Sequence, residues 1–305
     1  MVLLRPRGAD LEGQVRAQGL LRPEVPVLVL LSGGPDSVCL LDLAVRVSGA
    51  VTALHVDYGL RDSSAEDAAH CDVLCARLGV PLHVHRPRRP EGNLQAWARD
   101  VRYAEALRLA EGDVAAGHTA SDQVETVLYR LAASPGRRAL LGMRPREGRV
   151  IRPLLGAWRA QTEAWCAEHG LPWREDPTNA SDAYARNRAR HRLVPALREL
   201  HPAAEANVLR TVELLRDEAA VLDAAVGAVL AEAGEPPPLA VLRALPPALA
   251  RLVMVRLAGG APVGHRADEI LALGEHGALD VGGGLRARIE RGCLEFVPTP
   301  PRMRA

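Results

Sequence analysis

The chain has 305 residues, a length that predicts two domains rather than one. Hydrophobic residues make up 48% of the sequence, enough for a sizeable core, and the net charge of +1 excludes a uniformly basic protein. All 38 basic residues are arginine, so no lysine side chain can serve as a base, a nucleophile or a phosphate ligand.

The five cysteines form no CxxC pair, which argues against a zinc or iron–sulfur site and for a reducing, cytoplasmic location. Cys71 and Cys75 lie beside leucines at helical spacing, so we predict that they sit on the buried face of a helix. No stretch approaches the about 20 apolar residues of a membrane span. Arg5, Pro6 and Asp10 interrupt the apolar N-terminus, so the sequence predicts neither a signal peptide nor a membrane partner.

After a short amphipathic segment, Leu11 to Leu21, the chain reaches the stretch around which its pattern is organised. Val27 to Leu31 is an apolar run that suits a strand buried on both faces. The segment Ser32–Ser37, SGGPDS, follows it, and apolar residues at helical spacing come next. A glycine loop between a strand and a helix N-terminus favours anion binding, but without a lysine it is not the Walker phosphate loop.

The next predicted elements alternate between helix and strand. This alternation predicts a parallel sheet with helices on both faces, in which ligands bind beyond the carboxyl ends of the strands. In chain order we predict a strand at 50–57 and then a helix that the capping pair Ser63 and Glu66 opens and Gly79 closes. A strand from Leu82 to His85 precedes a helix that runs from its cap, Asn93, to about Ala110. A strand from Asp113 to Gly117 and a helix from Ala120 to about Ala132 follow.

The composition changes in the second half of the chain. Between residues 137 and 198 there are 13 arginines and six acidic residues, a local charge of +7 that favours contact with a polyanion. A long helix from about Asn207 towards Leu230 then precedes a proline-rich loop, helices near 239–258 and 267–273, and strands near 285–289 and 293–297. We therefore predict a catalytic α/β domain over residues 1–206, and a linker helix with a small, mostly helical C-terminal domain over 207–305.

Polar motifs follow the predicted strands at the edge where ligands bind. The second strand ends in His-Val-Asp at 55–57, and His118 follows the fourth strand. Asp122 and Glu125 are three residues apart at the start of the next helix, so both carboxylates can point the same way. The helix dipole alone favours acidic residues there, but it does not explain the histidine before them.

Two further segments are rich in arginine. Arg99 and Arg102 can share one face of the helix before the fourth strand. The segment 175–179, EDPTN, precedes 184–190, YARNRAR. The planar fork of arginine suits phosphate, although arginines at alternate positions cannot all lie on one helix face.

The segment Ser32–Ser37 resembles the SGGxDS loop of the ATP-pyrophosphatase, or PP-loop, superfamily, whose members split ATP into AMP and pyrophosphate. The later motifs resemble, in the same order, segments of its tRNA(Ile)-lysidine synthetase branch: HVDHGLR at 55–61, AARxxRY at 96–103, GHTADDQAET at 117–126 and EDPSN…YxRNRIR at 175–190. The resemblance covers about residues 30–200. The sequence departs from the family at Tyr58, where histidine is common, and at Ser121, where a first aspartate is usual.

The resemblance implies an α/β fold of the PP-loop ATP-pyrophosphatase type and an enzyme that attaches lysine to C2 of the wobble cytidine of an isoleucine tRNA with a CAU anticodon. Such an enzyme first transfers AMP from ATP to the C2 oxygen and releases pyrophosphate, and an amine of lysine then displaces the AMP. The implied cofactors and partners are ATP, Mg²⁺, free L-lysine and this tRNA, with the C-terminal domain also contacting the tRNA.

The resemblance also implies roles for individual residues. The ATP site would comprise Ser32, Gly33, Gly34, Pro35, Asp36, Ser37, His55, Val56 and Asp57, with Asp36 also holding Mg²⁺. Catalysis would use Asp36, Arg99, His118, Asp122 and Glu125. Asp122 and Glu125 would bind the cationic lysine, and a carboxylate or His118 would take a proton from its amine. The tRNA contacts would be Arg186, Asn187, Arg188 and Arg190.

Several alternatives stay open at this point. Asp122 and Glu125 could instead be Mg²⁺ ligands for ATP. A PP-loop cytidine thiolase would share the loop, although it is expected to need cysteines for sulfur or cluster chemistry. A tRNA-binding protein without catalysis would share the arginines, although the intact loop and both carboxylates argue against it. The sequence also leaves open whether the chain is a monomer or a homodimer and which tRNA elements it recognises.

Overall fold

The computed structural model describes residues 11–59, 64–88, 90, 94–133, 136–174 and 185–300. Its contacts divide the chain into two compact units, Met1–Glu213 and Leu214–Ala305. The division falls within the long helix Ala204–Ala233, which the sequence pattern placed in the linker. Within the described ranges, no helix combines the length and apolar character needed to cross a bilayer.

The first unit is built on a six-stranded sheet with the order β3-β2-β1-β4-β6-β5. All neighbouring strands are parallel except β5, which is antiparallel to β6. This confirms the predicted α/β fold and its first four strands. The strands are β1 (Val27–Leu30), β2 (Val51–Val56), β3 (Leu82–His85), β4 (Asp113–Ala115), β5 (Arg146–Glu147) and β6 (Val150–Ile151).

The position of β1 explains why its sequence is apolar throughout. It lies between β2 and β4, with Val27 paired to both Val51 and Asp113, and helices cover it on both faces, so all four of its residues are buried. By contrast, β5 and β6 have two residues each and meet at a turn containing Gly148, whose φ is +58°. Strands this short carry no periodic pattern, which is why the sequence did not predict them.

The helices of the first unit include those predicted and several that were not. Those not predicted are α6 to α9, where arginine and proline obscure the apolar spacing. The predicted caps Ser63 and Asn93 lie outside the described residues. The helices are α1 (Leu11–Ala17), α2 (Pro35–Val47), α3 (Ser64–Leu78), α4 (Leu94–Leu109), α5 (Ala120–Ala133), α6 (Arg137–Leu140), α7 (Arg159–Glu168), α8 (Ala185–Arg188), a π-helical turn (Ala189–Leu193), α9 (Val194–Leu200) and α10 (Ala204–Ala233).

Apolar clusters fill both sides of this sheet. On one side, α2 is buried along most of its length and packs with Val29 and Leu31 of the central strand region. Cys71 and Cys75 of α3 belong to the same cluster and are fully buried, as predicted. On the other side, Leu28 and Leu30 pack with residues of α4, including Ala106. The loops at the carboxyl ends of β1, β2 and β4 are therefore fixed by a rigid scaffold.

The second unit combines short helices with an antiparallel sheet of order β7-β8-β9. Leu242, Met254, Ile270 and Leu294 are fully buried in its core. The two predicted strands are present, whereas β7, which leads into the glycine turn at 282–284, was not predicted. The elements are α11 (Leu239–Ala244), α12 (Pro247–Leu257), a 3₁₀ turn (Val263–Arg266), α13 (Ala267–Leu271), β7 (Ala278–Gly282), β8 (Leu285–Glu290) and β9 (Cys293–Pro298).

Candidate active site

The segment Ser32–Ser37, here called the glycine loop, connects β1 to α2. Gly33 has φ +87°, a backbone conformation that L side chains rarely adopt, so the turn requires glycine. Gly34 is the N-cap of α2 and has no side chain that could occupy the first turn of the helix. The Ser37 hydroxyl donates to the Gly34 carbonyl at 2.9 Å and accepts the Ser32 N–H at 3.1 Å. These hydrogen bonds hold the loop against the first turn of α2.

The end of β4 lies against this loop. A Cβ atom added to Gly117 would lie 3.1 Å from the carbonyl group of Asp36, closer than ordinary van der Waals contact, so the absence of a side chain favours this close approach. On the opposite side, the Arg174 N–H donates to the Gly33 carbonyl at 2.9 Å. These contacts place His118 and the start of α5 beside the first turn of α2.

Asp36 is the carboxylate of the glycine loop, and α7 supplies its partners. The Thr162 hydroxyl donates to Asp36 Oδ1, and Arg159 Nε lies 3.3 Å from Oδ2. Burial and the nearby charge of Asp122 raise the pKa of Asp36 to about 6, although Thr162 and Arg159 oppose the rise. The protonated form of Asp36 is therefore favoured more than in a solvent-exposed aspartate.

Asp122 and Glu125 occupy the first turns of α5, and we call their two carboxylates the acidic site. Their side chains are only 9% and 3% exposed. Asp122 Oδ2 accepts hydrogen bonds from the Thr119 N–H at 2.8 Å and the Thr119 hydroxyl at 2.9 Å. Burial acts to raise the pKa of Asp122, but Arg186, Arg159, His118 and the Thr119 N–H outweigh it and hold the pKa below its ordinary value.

Three guanidinium groups surround the acidic site. Arg159 spans it, with Nη2 at 3.0 Å from Asp122 and Nη1 at 3.6 Å from Glu125, while its Nε contacts Asp36. Arg186 reaches Asp122 at 3.0 Å and Glu125 at 3.1 Å. Arg190 reaches Glu125 at 2.6 Å and Asp122 at 3.6 Å. The three carboxylates and three guanidiniums form one charge-balanced network that joins α2, α5, α7 and the segment after residue 184.

His118 lies at the end of β4, beside this network. Burial lowers its pKa to about 3, and the positive charges of Arg186, Arg152 and Arg102 add to the effect, while Asp122 opposes it. Its Nδ1 is buried and has no hydrogen-bond partner among the described residues. His118 is therefore neutral at physiological pH.

The other predicted ATP-site residues lie at the end of β2. His55 is buried beneath the loop, with Nδ1 at 3.0 Å from the Leu31 carbonyl, so its side chain supports the end of β1. Val56 is buried in the sheet. Asp57 accepts the Gly59 N–H at 3.0 Å and an Arg86 N–H at 3.1 Å. Residues 60 and 61 of this motif lie outside the described residues.

Arg99 lies on α4, and its guanidinium contacts an aromatic ring. The guanidinium carbons of Arg99 and Arg102 lie over the Tyr103 ring, 5.3 Å and 5.4 Å from its centroid. The Tyr58 hydroxyl donates to the Ala98 carbonyl at 2.9 Å and so ties the end of β2 to α4. Arg99 is not in the charge-balanced network, and its catalytic role stays a prediction.

The structure separates the predicted tRNA residues into two groups. Arg186 and Arg190 are turned into the acidic site, whereas Arg188 is exposed and Asn187 is half-buried. The positions agree with helical spacing, since residues four apart share a face. The motif residues 175–184, which include Tyr184, lie outside the described residues.

Sequence reasoning missed Arg159 and Thr162, which connect the glycine loop to the acidic site. Arg159 occupies the first position of α7, where the helix dipole disfavours a cation, so an arginine there requires anionic partners. That electrostatic conflict was a detectable signal. The Ser121 hydroxyl, at the position where the family usually has aspartate, accepts the Arg159 N–H at 3.3 Å and helps to fix the start of α7.

The residues present fit a nucleotide phosphate and a hard cation. The glycine loop offers the positive end of α2, a glycine without a side chain and two hydroxyl groups. Burial and the nearby Asp122 charge disfavour the ionised form of Asp36, and a cation bound to its carboxylate would offset that cost. In the described ranges no group of three or more His, Cys, Asp or Glu side chains forms a metal cage, a finding compatible with Mg²⁺, which protein carboxylates usually bind together with substrate phosphates.

Comparisons with known proteins agree with this geometry. Residues 11–197 match the model of the PP-loop domain family. The chain is 40% identical over 244 residues to a tRNA(Ile)-lysidine synthase of Mycolicibacterium paratuberculosis, covering 76% of this chain and 75% of that protein. The chain belongs to the tRNA(Ile)-lysidine synthase family. A relative of the same name from Solibacter usitatus is 43% identical over 203 residues, 64% of this chain and 46% of its own length.

The similarity does not extend over the full length of the relatives. The chain spans about half the length of several of them, for example 51% of the Dehalococcoides mccartyi protein. Among solved structures, a U34-tRNA thiolase from Methanococcus maripaludis aligns with a TM-score of 0.57 at 17% identity, covering 68% of this chain and 78% of the thiolase. At that identity the likeness supports the shared fold alone.

Proposed function

We propose that this protein is an ATP-dependent tRNA(Ile)-lysidine synthetase. In this reaction the C2 oxygen of the wobble cytidine in an isoleucine tRNA with a CAU anticodon attacks the α-phosphorus of ATP, and pyrophosphate leaves. An amine of free L-lysine then attacks C2, AMP leaves with the oxygen, and the amine loses a proton. Family membership and the arrangement of charged side chains support the proposal.

The observation that carries the proposal is the acidic site beside the glycine loop. A single guanidinium, that of Arg159, contacts Asp36 of the loop and both carboxylates of the acidic site. A site that binds phosphate and a site that binds an organic cation are therefore separated by about the width of one side chain. An enzyme that joins a cationic amino acid to an adenylated base needs this proximity.

For the first step, the glycine loop would hold the phosphates of ATP and Asp36 would hold Mg²⁺. Bound Mg²⁺ would neutralise charge on the phosphates as pyrophosphate departs. Arg159 would hold the Asp36 carboxylate in position through its contact at 3.3 Å. Arg99, on α4, is the predicted further ligand of the phosphates or of the transition state.

For the second step, the acidic site would bind lysine and a nearby group would take its proton. A lysine amine has a solution pKa near about 10.4, so it arrives charged. His118, with a pKa of about 3, is a poor proton acceptor and is better suited to orienting the substrate through its ring nitrogen. A carboxylate is therefore the predicted acceptor of that proton.

The thiolase alternative receives less support from the cysteines. Four of them, Cys39, Cys71, Cys75 and Cys166, are buried in the first unit. Burial raises the pKa of Cys71 to about 12 and that of Cys75 to about 11, so both remain protonated thiols, whereas sulfur transfer needs an accessible thiolate.

The decisive experiment incubates the protein with ATP, Mg²⁺, radiolabelled L-lysine and an isoleucine tRNA transcript with a CAU anticodon. We expect label in the tRNA and one pyrophosphate released per lysine attached. The matched control is the same transcript with uridine at the wobble position, which should accept no lysine. Pyrophosphate release without lysine incorporation would point to another PP-loop modification. If the protein neither releases pyrophosphate nor incorporates lysine, the proposed catalysis is excluded.

A further inference from the structure

Every carboxylate oxygen of the acidic site already has a partner within the chain. Asp122 Oδ2 accepts two hydrogen bonds from Thr119, and Asp122 Oδ1 lies 3.0 Å from both Arg159 and Arg186. Both Glu125 oxygens lie within 3.2 Å of the Arg190 guanidinium. A lysine ammonium therefore cannot contact these carboxylates unless a guanidinium leaves.

The charges lead to the same conclusion. Asp36, Asp122 and Glu125 carry three negative charges, and the three guanidiniums around them carry three positive charges. A bound lysine cation would add a fourth positive charge to a buried network, where unbalanced charge is costly. Release of one arginine as lysine enters restores the balance.

The three arginines differ in how easily they can leave. Arg159 is fixed because α7 packs against α2, where Trp165 donates to Asp42 at 2.9 Å. Arg186 has the most exposed side chain, 41% against 24% for Arg159. Arg186 and Arg190 belong to Ala185–Leu193, here called the arginine segment, which consists of one short helix and a π-helical turn. A π-helical turn is rare and is found mainly at functional sites.

An RNA backbone offers these arginines a different partner. The arginine segment carries Arg186, Arg188, Arg190 and Arg192, and the side chains at 188 and 192 face outwards. Guanidinium groups bind phosphate oxygens bidentately, and each such contact releases condensed counterions from the nucleic acid. A phosphate near the outer arginines would compete with the buried carboxylates for Arg186 first, because Arg186 is already partly in solvent.

We propose that the Arg186 guanidinium competes with lysine for the acidic site and that tRNA binding draws it onto RNA phosphates, so that lysine binds more tightly once the tRNA is bound. This inference rests on the proposed function and adds an order of binding to it. It makes the arginine segment a specificity device, since free lysine competes with Arg186 unless the RNA to be modified is present.

The test measures the equilibrium affinity for L-lysine by isothermal titration, without ATP, for the protein alone and for the protein saturated with the tRNA transcript. Coupling between two sites is commonly about 5- to 150-fold and is reciprocal. We expect the transcript to tighten lysine binding at least about fivefold, and lysine to tighten transcript binding by the same factor. Equal lysine affinity with and without the transcript would overturn the proposal, and this result requires no variant to fold.

A variant localises the effect. Arg186→Gln leaves Arg159 and Arg190 on the carboxylates, so we expect a folded protein that binds lysine at least about fivefold more tightly without RNA and gains less from the transcript. The matched control is Arg198→Gln in α9. It removes the same charge, but Arg198 pairs with Glu205 rather than with the acidic site. A folded Arg186→Gln protein with wild-type lysine affinity would contradict the proposal.

The outcome is separable from that of the proposed function. If wild-type protein attaches lysine to the transcript but its affinity for lysine is the same with and without the transcript, the proposed order of binding is wrong and the proposed activity stands. If no tRNA accepts lysine and the protein binds no lysine under either condition, the proposed function itself fails.

Discussion

The glycine loop and the acidic site are neighbours, but the chain builds them in opposite ways. The loop takes its shape from six consecutive residues: a glycine at φ +87°, a helix that starts at its end and a serine that bonds back to the loop backbone. The acidic site takes two carboxylates from one helix turn and three guanidiniums from positions 159, 186 and 190. A local site is specified by backbone conformation, whereas a distributed site is specified by charge balance.

This difference affects how each region should respond to change. Substitutions of the residues that shape the loop backbone should act where they are made, because the hydrogen bonds among Ser32, Gly34 and Ser37 are local. Substitutions in the acidic site should act on several elements at once, since removing one charge leaves a buried partner uncompensated. The predictions below test the contrast, beginning with the largest expected effect.

Asp36→Ala should reduce ATP-dependent pyrophosphate release by at least about a thousandfold, because it removes the only carboxylate of the glycine loop. Pyrophosphate release measured with saturating tRNA tests this. Asp42→Asn is the matched control, because Asp42 lies on the same helix but bonds Arg46 and Trp165 instead. We expect that control to keep its turnover. Normal turnover and unchanged Mg²⁺ dependence in Asp36→Ala would remove the loop from catalysis.

The double change Asp122→Asn and Glu125→Gln should spare adenylation of the tRNA and weaken lysine binding about a hundredfold or more, because neutral amides keep the shape but lose the attraction for an ammonium group. Trapping the adenylated tRNA in the absence of lysine, together with lysine titration, tests both parts. Glu147→Gln, an exposed carboxylate on β5, is the control. If adenylation is lost and higher Mg²⁺ restores it, the pair binds metal instead.

Asp36→Asn should stabilise the folded protein at pH 8 and have a much smaller effect at pH 3, which lies below both pKa values. The folded-state pKa of Asp36 is about 6, above its ordinary value of 3.8, so folding favours the protonated form. The associated stability is present at low pH and is lost as the pH rises through about 6. The gain at pH 8 should be on the order of 1–3 kcal/mol in the free energy of unfolding. Denaturant titration at both pH values tests this, and an equal effect at both would contradict the raised pKa.

Gly33→Ala should cost about 1–2 kcal/mol in the free energy of unfolding, because alanine is strained at the φ of +87° found there. Gly227→Ala, in an exposed position of α10 with open space around the added Cβ, should instead stabilise by about 0.5–1 kcal/mol. Thermal unfolding of the two variants compares them directly. Identical effects would mean that the glycine loop does not impose its backbone conformation.

Much of the fold was predictable because its signals are local. The buried strand at 27–30, the turn glycines and the apolar faces of α2 and α3 follow from the order of residues alone. The two-residue strands β5 and β6 were not predictable, because β6 is defined by its pairing with β4 and β5 by its pairing with β6, rather than by any pattern of their own. The start of α7 was also not predicted, because its first residue, Arg159, is a cation at a position where the helix dipole disfavours one.

The sequence by itself determined the glycine loop, the placement of Asp122 and Glu125 on one helix turn, and the presence of an arginine-rich segment. Only the tertiary structure decided that Arg159 links Asp36 to the acidic site and that Arg186 and Arg190 enter that site. The physical reason is distance along the chain. Backbone conformation depends on adjacent residues, whereas ion pairing between residues more than 30 positions apart depends on how the sheet and its helices fold together.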